Sequence, residues 1–288
     1  MGRHTRIVGW LRLLLIVLGG SYLGLEGWAY LTQDSFVYAP SSVVTGTPRD
    51  VGLPYDPITL NTPDGEHLTG WFIPAETTTP TTVLFLHGSG GNIAGCLAHA
   101  AIFHQLGVNT LLFDYRGYGQ STGTPSEAGL ATDAETAWAY LTTTRGVPAA
   151  QIIIVGQSLG GGVATWLATQ HRPVGLILDS TFTRNAFLHP WGPIFIPAQE
   201  SYASIDRIGR IAAPVLVLHS RDDAVIAFSQ AEALFAAAQP PKYLIALRGP
   251  HATGPVAEPT AYRAAVAAFL TSLTQAGTPE TPAPASAP

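Results

Sequence analysis

Apolar residues along this chain gather into short unbroken runs rather than alternating stripes. VLFLH at Val83–His87, VNTLLFD at Val108–Asp114, IIIVG at Ile152–Gly156, VGLILD at Val174–Asp179, VLVLH at Val215–His219 and YLIAL at Tyr243–Leu247 are apolar at nearly every position. Strands buried on both faces of a parallel sheet have this pattern. Ahead of them, Ile58–Asn61 and Leu68–Ile73 flank the turn Pro63-Asp64-Gly65 and predict a hairpin. Helix is predicted over Ile93–Leu106, Ser126–Thr144, Leu159–Gln170, Ser229–Ala238 and Thr260–Leu273. A hairpin followed by repeated strand–helix units predicts an α/β fold, with a mostly parallel central sheet flanked by helices. The rhythm breaks once, from Ser180 to Ala213, which predicts a small cap at about residues 180–213, between the sixth strand and the following helix.

The two ends follow other rules. Leu13–Leu31 is a 19-residue apolar stretch broken only by Glu26, and about 20 such residues cross a bilayer. Arg3, Arg6 and Arg12 precede it, and Trp28 and Tyr30 suit the interface at its far end. Residues 1–33 are therefore expected to form a single-pass membrane anchor, with the rest of the chain outside the cytoplasm. A cleaved signal peptide or a helix lying on the bilayer are the alternatives, and no A-x-A-like site follows the apolar core. Residues 276–288, AGTPETPAPASAP, hold no aromatic to bury and are expected to be a disordered tail. One domain is left between them, over residues 34–275.

Composition narrows the function. Of 288 residues 47% are apolar and only 11% charged, less than half the roughly 25% of ordinary soluble domains. Lys plus Arg number 14 against 19 acidic residues, for a net charge of −5. The basic residues are scattered and Lys242 is the only lysine, so no basic surface for nucleic acid is expected. Cys96 is the only cysteine, which excludes an internal disulfide framework and a Cys-cluster zinc site. His99 and His104 lack the H-E-x-x-H glutamate and do not share a helix face, so no metal is implied; nor is any organic cofactor.

The chemistry concentrates at Gly156-Gln157-Ser158-Leu159-Gly160, directly between a predicted strand and a predicted helix. G-x-S-x-G in that context is a tight elbow that exposes a nucleophilic serine at a helix amino terminus. A base and an acid should follow in the order Ser, Asp or Glu, His. After Ser158 the histidines are His171, His189, His219 and His251. His171 ends the elbow helix, His189 lies in the cap, and His219 closes a strand before an acid. His251 sits in RGPHATG beyond the last strand, at the carboxyl edge where open α/β sheets bind ligands. The acid is expected at Asp223, one strand–helix unit before His251, with Asp222 and Asp179 as competitors. Oxyanion donors are expected from the backbone N–H of Leu159 and of Ser89, the latter in the glycine-rich loop His87-Gly88-Ser89-Gly90-Gly91-Asn92. No Gly-Lys-Ser/Thr follows those glycines, so the loop is not a P-loop. His87 is expected to be a structural imidazole.

HGSGGN, DYRGYGQSTG, GQSLGG, HSRDDAVI and GPH together resemble the α/β-hydrolase superfamily. The likeness is to its membrane-anchored abhydrolase-domain group, which includes protein depalmitoylases and monoacylglycerol or lysophospholipid lipases. It spans roughly Asp34 to Leu273 and includes the aromatic stretch Phe36-Val37-Tyr38-Ala39-Pro40 after the apolar segment. The resemblance implies Asp223 as the acid and His251 as the base. Asp114, Arg116 and Gly117 match the family too, but they are expected only to shape the loop after a strand. Two positions depart from the family pattern. Ser220 follows His219 where glycine is usual, and Thr181 replaces the proline of Ser-Pro-Phe-Thr. Neither is expected to touch the chemistry.

The expected activity is hydrolysis of an ester, thioester or other acyl bond through a covalent acyl-enzyme, on a small or lipid-like acyl substrate. Phe182, Phe187, Trp191, Phe195 and Tyr202 in the cap either pack or line an acyl pocket. Alternatives are a catalytically inactive membrane-tethered binding protein, and an acyltransferase or peptidase using the same triad.

Overall fold

The computed structural model describes residues 2–32, 34–76, 81–184 and 201–276. Eight strands form one sheet: β1 (Asp56–Asn61), β2 (His67–Ile73), β3 (Thr82–Leu86), β4 (Asn109–Phe113), β5 (Ile152–Gln157), β6 (Gly175–Asp179), β7 (Val215–Ser220) and β8 (Lys242–Leu247). Their spatial order is β1-β2-β4-β3-β5-β6-β7-β8. β2 runs antiparallel to β1 and β4, and every other neighbouring pair is parallel. Each predicted run is thus a strand, and the hairpin turns at Pro63–Gly65 as expected.

Every residue of β3, β5, β6 and β7 is buried, which is why their sequences carry no alternation. Alternation survives in where they point. Leu84, Leu86, Ile152, Ile154, Leu176, Leu178, Val215 and Val217 enter one core. Val83, Phe85, Ile153, Val155, Ile177, Leu216 and Leu218 enter the other, on the opposite face. Among the described residues the α-helices of five or more residues are α1 (Gly2–Thr32), α2 (Leu97–Gln105), α3 (Glu127–Ala139), α4 (Leu159–Gln170), α5 (Ser204–Ile208), α6 (Phe228–Ala237) and α7 (Pro259–Ala276). α3, α4 and α6 cover the first core, and α2 and α7 cover the second. Burying one Leu, Ile or Phe is worth about 1.5–3 kcal/mol, so both faces contribute heavily to stability.

Helix boundaries differ from expectation: α6 lies one residue earlier, and α7 runs on to Ala276, the first residue of the expected tail. The stretch from Ile93 opens as a 3-10 turn, Ile93–Cys96, before α2 begins. Ser126 caps α3, its Oγ accepting the Gly129 N–H at 3.0 Å, and the helix ends in a π-turn, Tyr140–Thr144. α1 includes an apolar stretch, Ile7–Trp28, with mean hydropathy 1.7 and no residue buried, long and apolar enough to cross a membrane. Of the expected cap, residues 185–200 lie outside the described residues, with His189, Phe187, Trp191 and Phe195 among them. Phe182 and Tyr202 are described, and both are packed in the core beside α4. Within the expected tail, residues 277–288 lie outside the described residues.

Register decides where the site falls. Leu86 pairs with Gly156, Gln157 with Asp179, Asp179 with Leu218, and Leu247 with Ser220. The carboxyl ends of β3, β5, β6, β7 and β8 therefore share one edge of the sheet.

Candidate active site

At that edge Ser158 stands alone between β5 and α4, with φ 51° and ψ −118°. A non-glycine residue in such a conformation costs on the order of 1–3 kcal/mol and persists only when its surroundings fix it. The surroundings do so. The Ser158 N–H donates to the Asp179 carbonyl at 2.9 Å, and the Ser158 carbonyl accepts the Gly161 N–H at 3.0 Å and the Thr181 hydroxyl at 2.6 Å. A side chain at Gly156 would meet the Gly160 carbonyl at 2.5 Å, and one at Gly160 would collide with the Leu86 carbonyl. The two glycines of the motif are there because backbone passes against backbone. Thr181, which stands where the family has proline, is bonded to the elbow, and a side chain at Gly161 would strike it.

His251 comes from the loop after β8. Its Nε2 is 3.0 Å from Ser158 Oγ and its Nδ1 is 2.6 Å from Asp223 Oδ2. The carboxylate can only accept, so Nδ1 carries the proton and Nε2 turns a lone pair toward the serine hydroxyl. Asp223 lies just past β7 with its side chain fully buried. Its Oδ1 accepts the N–H groups of Val225 and Ile226, each at 2.8 Å. His219 Nε2 donates to the Ile226 carbonyl at 2.8 Å and lies 3.4 Å from Asp223 Oδ2. Gln157 reaches across the sheet edge, its Nε2 donating to the Ala252 carbonyl at 3.3 Å. Ala252 itself has φ 56°.

The other candidates are engaged elsewhere. Asp222 is solvent-facing and accepts from the Gly249 N–H at 3.2 Å and from Arg248 Nη1 at 3.0 Å, and these hold its carboxyl below the usual range. Asp179 Oδ2 accepts from His99 Nε2 at 3.1 Å and from the Tyr262 hydroxyl at 2.9 Å, while Oδ1 accepts from Ser180 Oγ at 2.9 Å. Burial raises the Asp179 carboxyl, but these donors outweigh it and leave it below its ordinary value. His171 stacks on Trp138 and pairs with Glu135 at 2.7 Å. Asp223 is the one of the three acids that meets His251.

Leu159 opens α4, where first-turn N–H groups have no partner within the helix. Opposite it, a side chain at Gly88 would touch Ser158 Cβ at 3.4 Å, so the loop carrying Ser89 lies against Ser158. His87 Nδ1 donates to the Gly88 carbonyl at 2.8 Å, and its Nε2 faces the Tyr115 N–H at 3.4 Å. Burial pushes this imidazole down to about 4, so it is neutral and holds one tautomer. In a trans peptide the carbonyl and the following N–H point opposite ways, so fixing the Gly88 carbonyl aims the Ser89 N–H. Behind the loop, burial raises Asp114 to about 7, and its Oδ1 accepts the Ile93 N–H at 2.8 Å. His87 Nε2 and Asp114 Oδ1 are 3.8 Å apart, but the two shifts favour neutral forms of both, not an ion pair. Arg116 bridges Asp133 at 2.8 Å and Asp64 at 2.8 Å, which shapes the loop after β4. A cavity of about 340 Å³ beside Glu127, Gly162, Trp166 and Arg207 lies behind α4, and Ser158, Asp223 and His251 do not line it.

This geometry can be set beside known proteins. A family model described as serine aminopeptidase, S33, matches residues 78–200. An uncharacterized protein of Mycobacterium tuberculosis is 36% identical over 231 residues, covering 78% of this chain and 82% of its own. The chain belongs to the α/β-hydrolase superfamily. Within it, Protein bem46 of Schizosaccharomyces pombe is 35% identical over 228 residues, covering 73% of this hydrolase and 76% of its own chain. A Saccharomyces cerevisiae relative, 39% identical over 139 residues and covering 47% and 49%, is named an uncharacterized membrane protein. An esterase of Pyrococcus furiosus superposes with a TM-score of 0.69 at 20% identity, covering 82% of this hydrolase and 98% of its own, and shares the fold.

Three contacts at the site had no signal in the sequence. His219 touches the Asp223 carboxylate, Gln157 ties β5 to the His251 loop, and Thr181 supports the elbow carbonyl. His219 stands in the sequence only as a histidine passed over for the base, Thr181 only as a departure from the family pattern, and Gln157 only as a variable position of the motif.

Proposed function

We propose that this hydrolase is a serine enzyme that cleaves carboxylic esters or thioesters of small or lipid-like acyl groups. The observation that carries the reading is the imidazole of His251 bridging Ser158 Oγ and the buried Asp223 carboxylate. Ser158 Oγ attacks the acyl carbonyl carbon while His251 Nε2 takes the hydroxyl proton, and Asp223 steadies the imidazolium. The negative charge on the carbonyl oxygen is met by the N–H groups of Ser89 and Leu159, where one lost donor costs about 10²–10³-fold in kcat. Collapse passes the proton from His251 to the leaving alcohol or thiol and leaves the acyl-serine. Water, deprotonated by His251, then attacks the same carbon, and the acid and free serine are released. Residues 34–275 form the catalytic domain in this reading, with a cap at about 180–213. α1 anchors it as a single span, and Arg3, Arg6 and Arg12 keep the first residues cytoplasmic and the domain outside. The matching family's description as a serine aminopeptidase favours one second reading, cleavage of an amide by the same triad.

The test is covalent. A fluorophosphonate should label the native chain at Ser158, and Ser158→Ala should abolish labelling and lower kcat by roughly 10⁴-fold or more with the fold intact. Near-native esterase activity in that variant refutes the mechanism. A p-nitrophenyl ester series from acetyl to palmitoyl, run beside amino-acid p-nitroanilides, identifies the acyl length and separates ester from amide cleavage.

A further inference from the structure

The stretch Phe36-Val37-Tyr38-Ala39-Pro40 has no part in the chemistry so far. Directly after the apolar helix the chain is built into the domain, with Val37 and Tyr38 buried. Ala39 and Pro40 run parallel to Gly90 and Gly91. The Ala39 N–H donates to the Ser89 carbonyl and the Ser41 N–H to the Gly91 carbonyl, each at 2.9 Å. Asn92 fastens the pairing, its Nδ2 donating to the carbonyls of Ser41 and Val43 at 3.0 and 2.9 Å. The Tyr38 hydroxyl meets that of Tyr202 at 2.5 Å, on the segment returning from the cap region.

We propose that residues 38–41 are a positioning strap for the oxyanion loop, so that the segment leaving the anchor sets how well the Ser89 N–H is aimed. The proposal rests on the hydrolase reading above. Three glycines surround Ser89, and side chains placed at Gly90 or Gly91 would meet nothing within 4 Å. Packing therefore does not hold the Gly90–Gly91 part of this loop, and glycine is the residue with most backbone freedom to lose. Hydrogen bonds to its carbonyls hold it instead. Gly88 is held by His87, Ser89 by the Tyr118 hydroxyl at 2.8 Å and the Ala39 N–H, and Gly91 by the Ser41 N–H. Two of these come from the strap. An oxyanion donor is effective to the degree that it is already in place, since gathering it during the reaction costs reorganisation. The bonds joining Ser158, His251 and Asp223 involve no strap residue, so loosening the strap leaves the base and the acid alone.

Ala39→Pro in the full chain deletes the N–H that the Ser89 carbonyl accepts and puts the proline ring in its place, which breaks the pairing at Ser89. Ala39→Val keeps that N–H and is its control. A chain starting at Ser42 removes the strap, and one starting at Asp34 keeps it. Active sites are titrated to completion with a fluorophosphonate, and p-nitrophenyl butyrate hydrolysis is measured per titrated site. Affinity for an alkyl trifluoromethyl ketone is measured in parallel, because its adduct with Ser158 puts an oxyanion in the same hole. Ala39→Pro and the chain from Ser42 should lose about 10-fold or more in kcat per site, with a matching loss of ketone affinity and an unchanged pH profile. Both controls should match the native chain. A strap needed only for folding would reduce the number of titrated sites but leave per-site kcat and ketone affinity within about twofold, and that result overturns the proposal. Labelling of the native chain anywhere but Ser158 sinks the hydrolase reading itself, and it is read before any variant is compared.

Discussion

Replacing Asp223 by asparagine tests the site through a single proton. The carboxylate's two oxygens face different donors. Oδ1 accepts two backbone N–H groups, from Val225 and Ile226, and Oδ2 accepts His251 Nδ1–H. An asparagine must put its amide oxygen where the two backbone donors point, because an NH2 there would leave both unpaired at a cost of about 1–3 kcal/mol each. Its NH2 group then faces His251 Nδ1, which must offer a lone pair and move its proton to Nε2. That proton points at Ser158 Oγ, and the base is gone. The nearby His219 Nε2–H, already a donor to Ile226, gives no relief to the new NH2. The equivalent change in a well-studied serine protease costs about 10⁴-fold in kcat, or about 5.5 kcal/mol of transition-state stabilisation. Asp223→Asn should therefore lose about 10⁴-fold in p-nitrophenyl butyrate turnover per folded chain with little change in KM. Asp222→Asn should stay within about twofold, since its carboxylate serves Arg248 and Gly249 at the surface. Retention of more than a tenth of the native kcat in Asp223→Asn would refute the reasoning.

Two further outcomes follow from the same structure. Asp114 is raised to about 7, so between about 4 and 7 it is protonated in the folded chain and ionised in the unfolded one, and its share of stability falls as pH rises through that window. Asp114→Asn removes this slope, and chemical denaturation should show its stability relative to the native chain climbing by about 3 kcal/mol from pH 4 to 6.5; a difference that does not change with pH would contradict the buried neutral acid. At the other end of the chain, full-length protein should stay with membranes through a carbonate wash, while a chain starting at Asp34 should be soluble and active. Intact full-length protein in the soluble fraction would rule out the anchor, and a soluble chain lacking about the first 20 residues would mark a cleaved signal.

The strands were legible because burial on both faces leaves a plain mark in composition. IIIVG at Ile152–Gly156 admits no polar residue, and the fold allows none there. The elbow was legible because its glycines answer to contacts within a few residues, Gly156 against Gly160 being one. Other features had no local mark. The exchange of β3 and β4 in the sheet order depends on pairings between distant strands. So does the strap, since Ala39 and Ser89 meet by main-chain atoms that any non-proline residues would supply. Thr181's contact was illegible for a related reason, since only the folded chain brings its hydroxyl to the Ser158 carbonyl, 23 residues away in sequence.

Two aspartates at the ends of neighbouring strands present their carboxylates to different partners. Asp179 closes β6, and Asp223 lies just past β7. Both are buried, both have histidine beside them, and sequence spacing admitted either as the acid. Their donors assign different work. Asp179 spends its oxygens on His99, Tyr262 and Ser180, all buried below the edge, and its main-chain carbonyl holds the Ser158 N–H. It fixes the elbow from beneath, and its side chain is turned to those three donors and not to His251. Asp223 keeps one oxygen for two backbone donors and turns the other to the imidazole. An acid that must orient a base needs such a division, because the first oxygen sets the angle at which the second is presented. Removing the Asp179 carboxylate should thus unfold or soften the sheet edge and lower the number of titratable sites, whereas removing that of Asp223 should leave the sites countable and slow. Comparing titrated sites with turnover in Asp179→Asn and Asp223→Asn distinguishes the two roles, and a slow but fully titratable Asp179→Asn would exchange them.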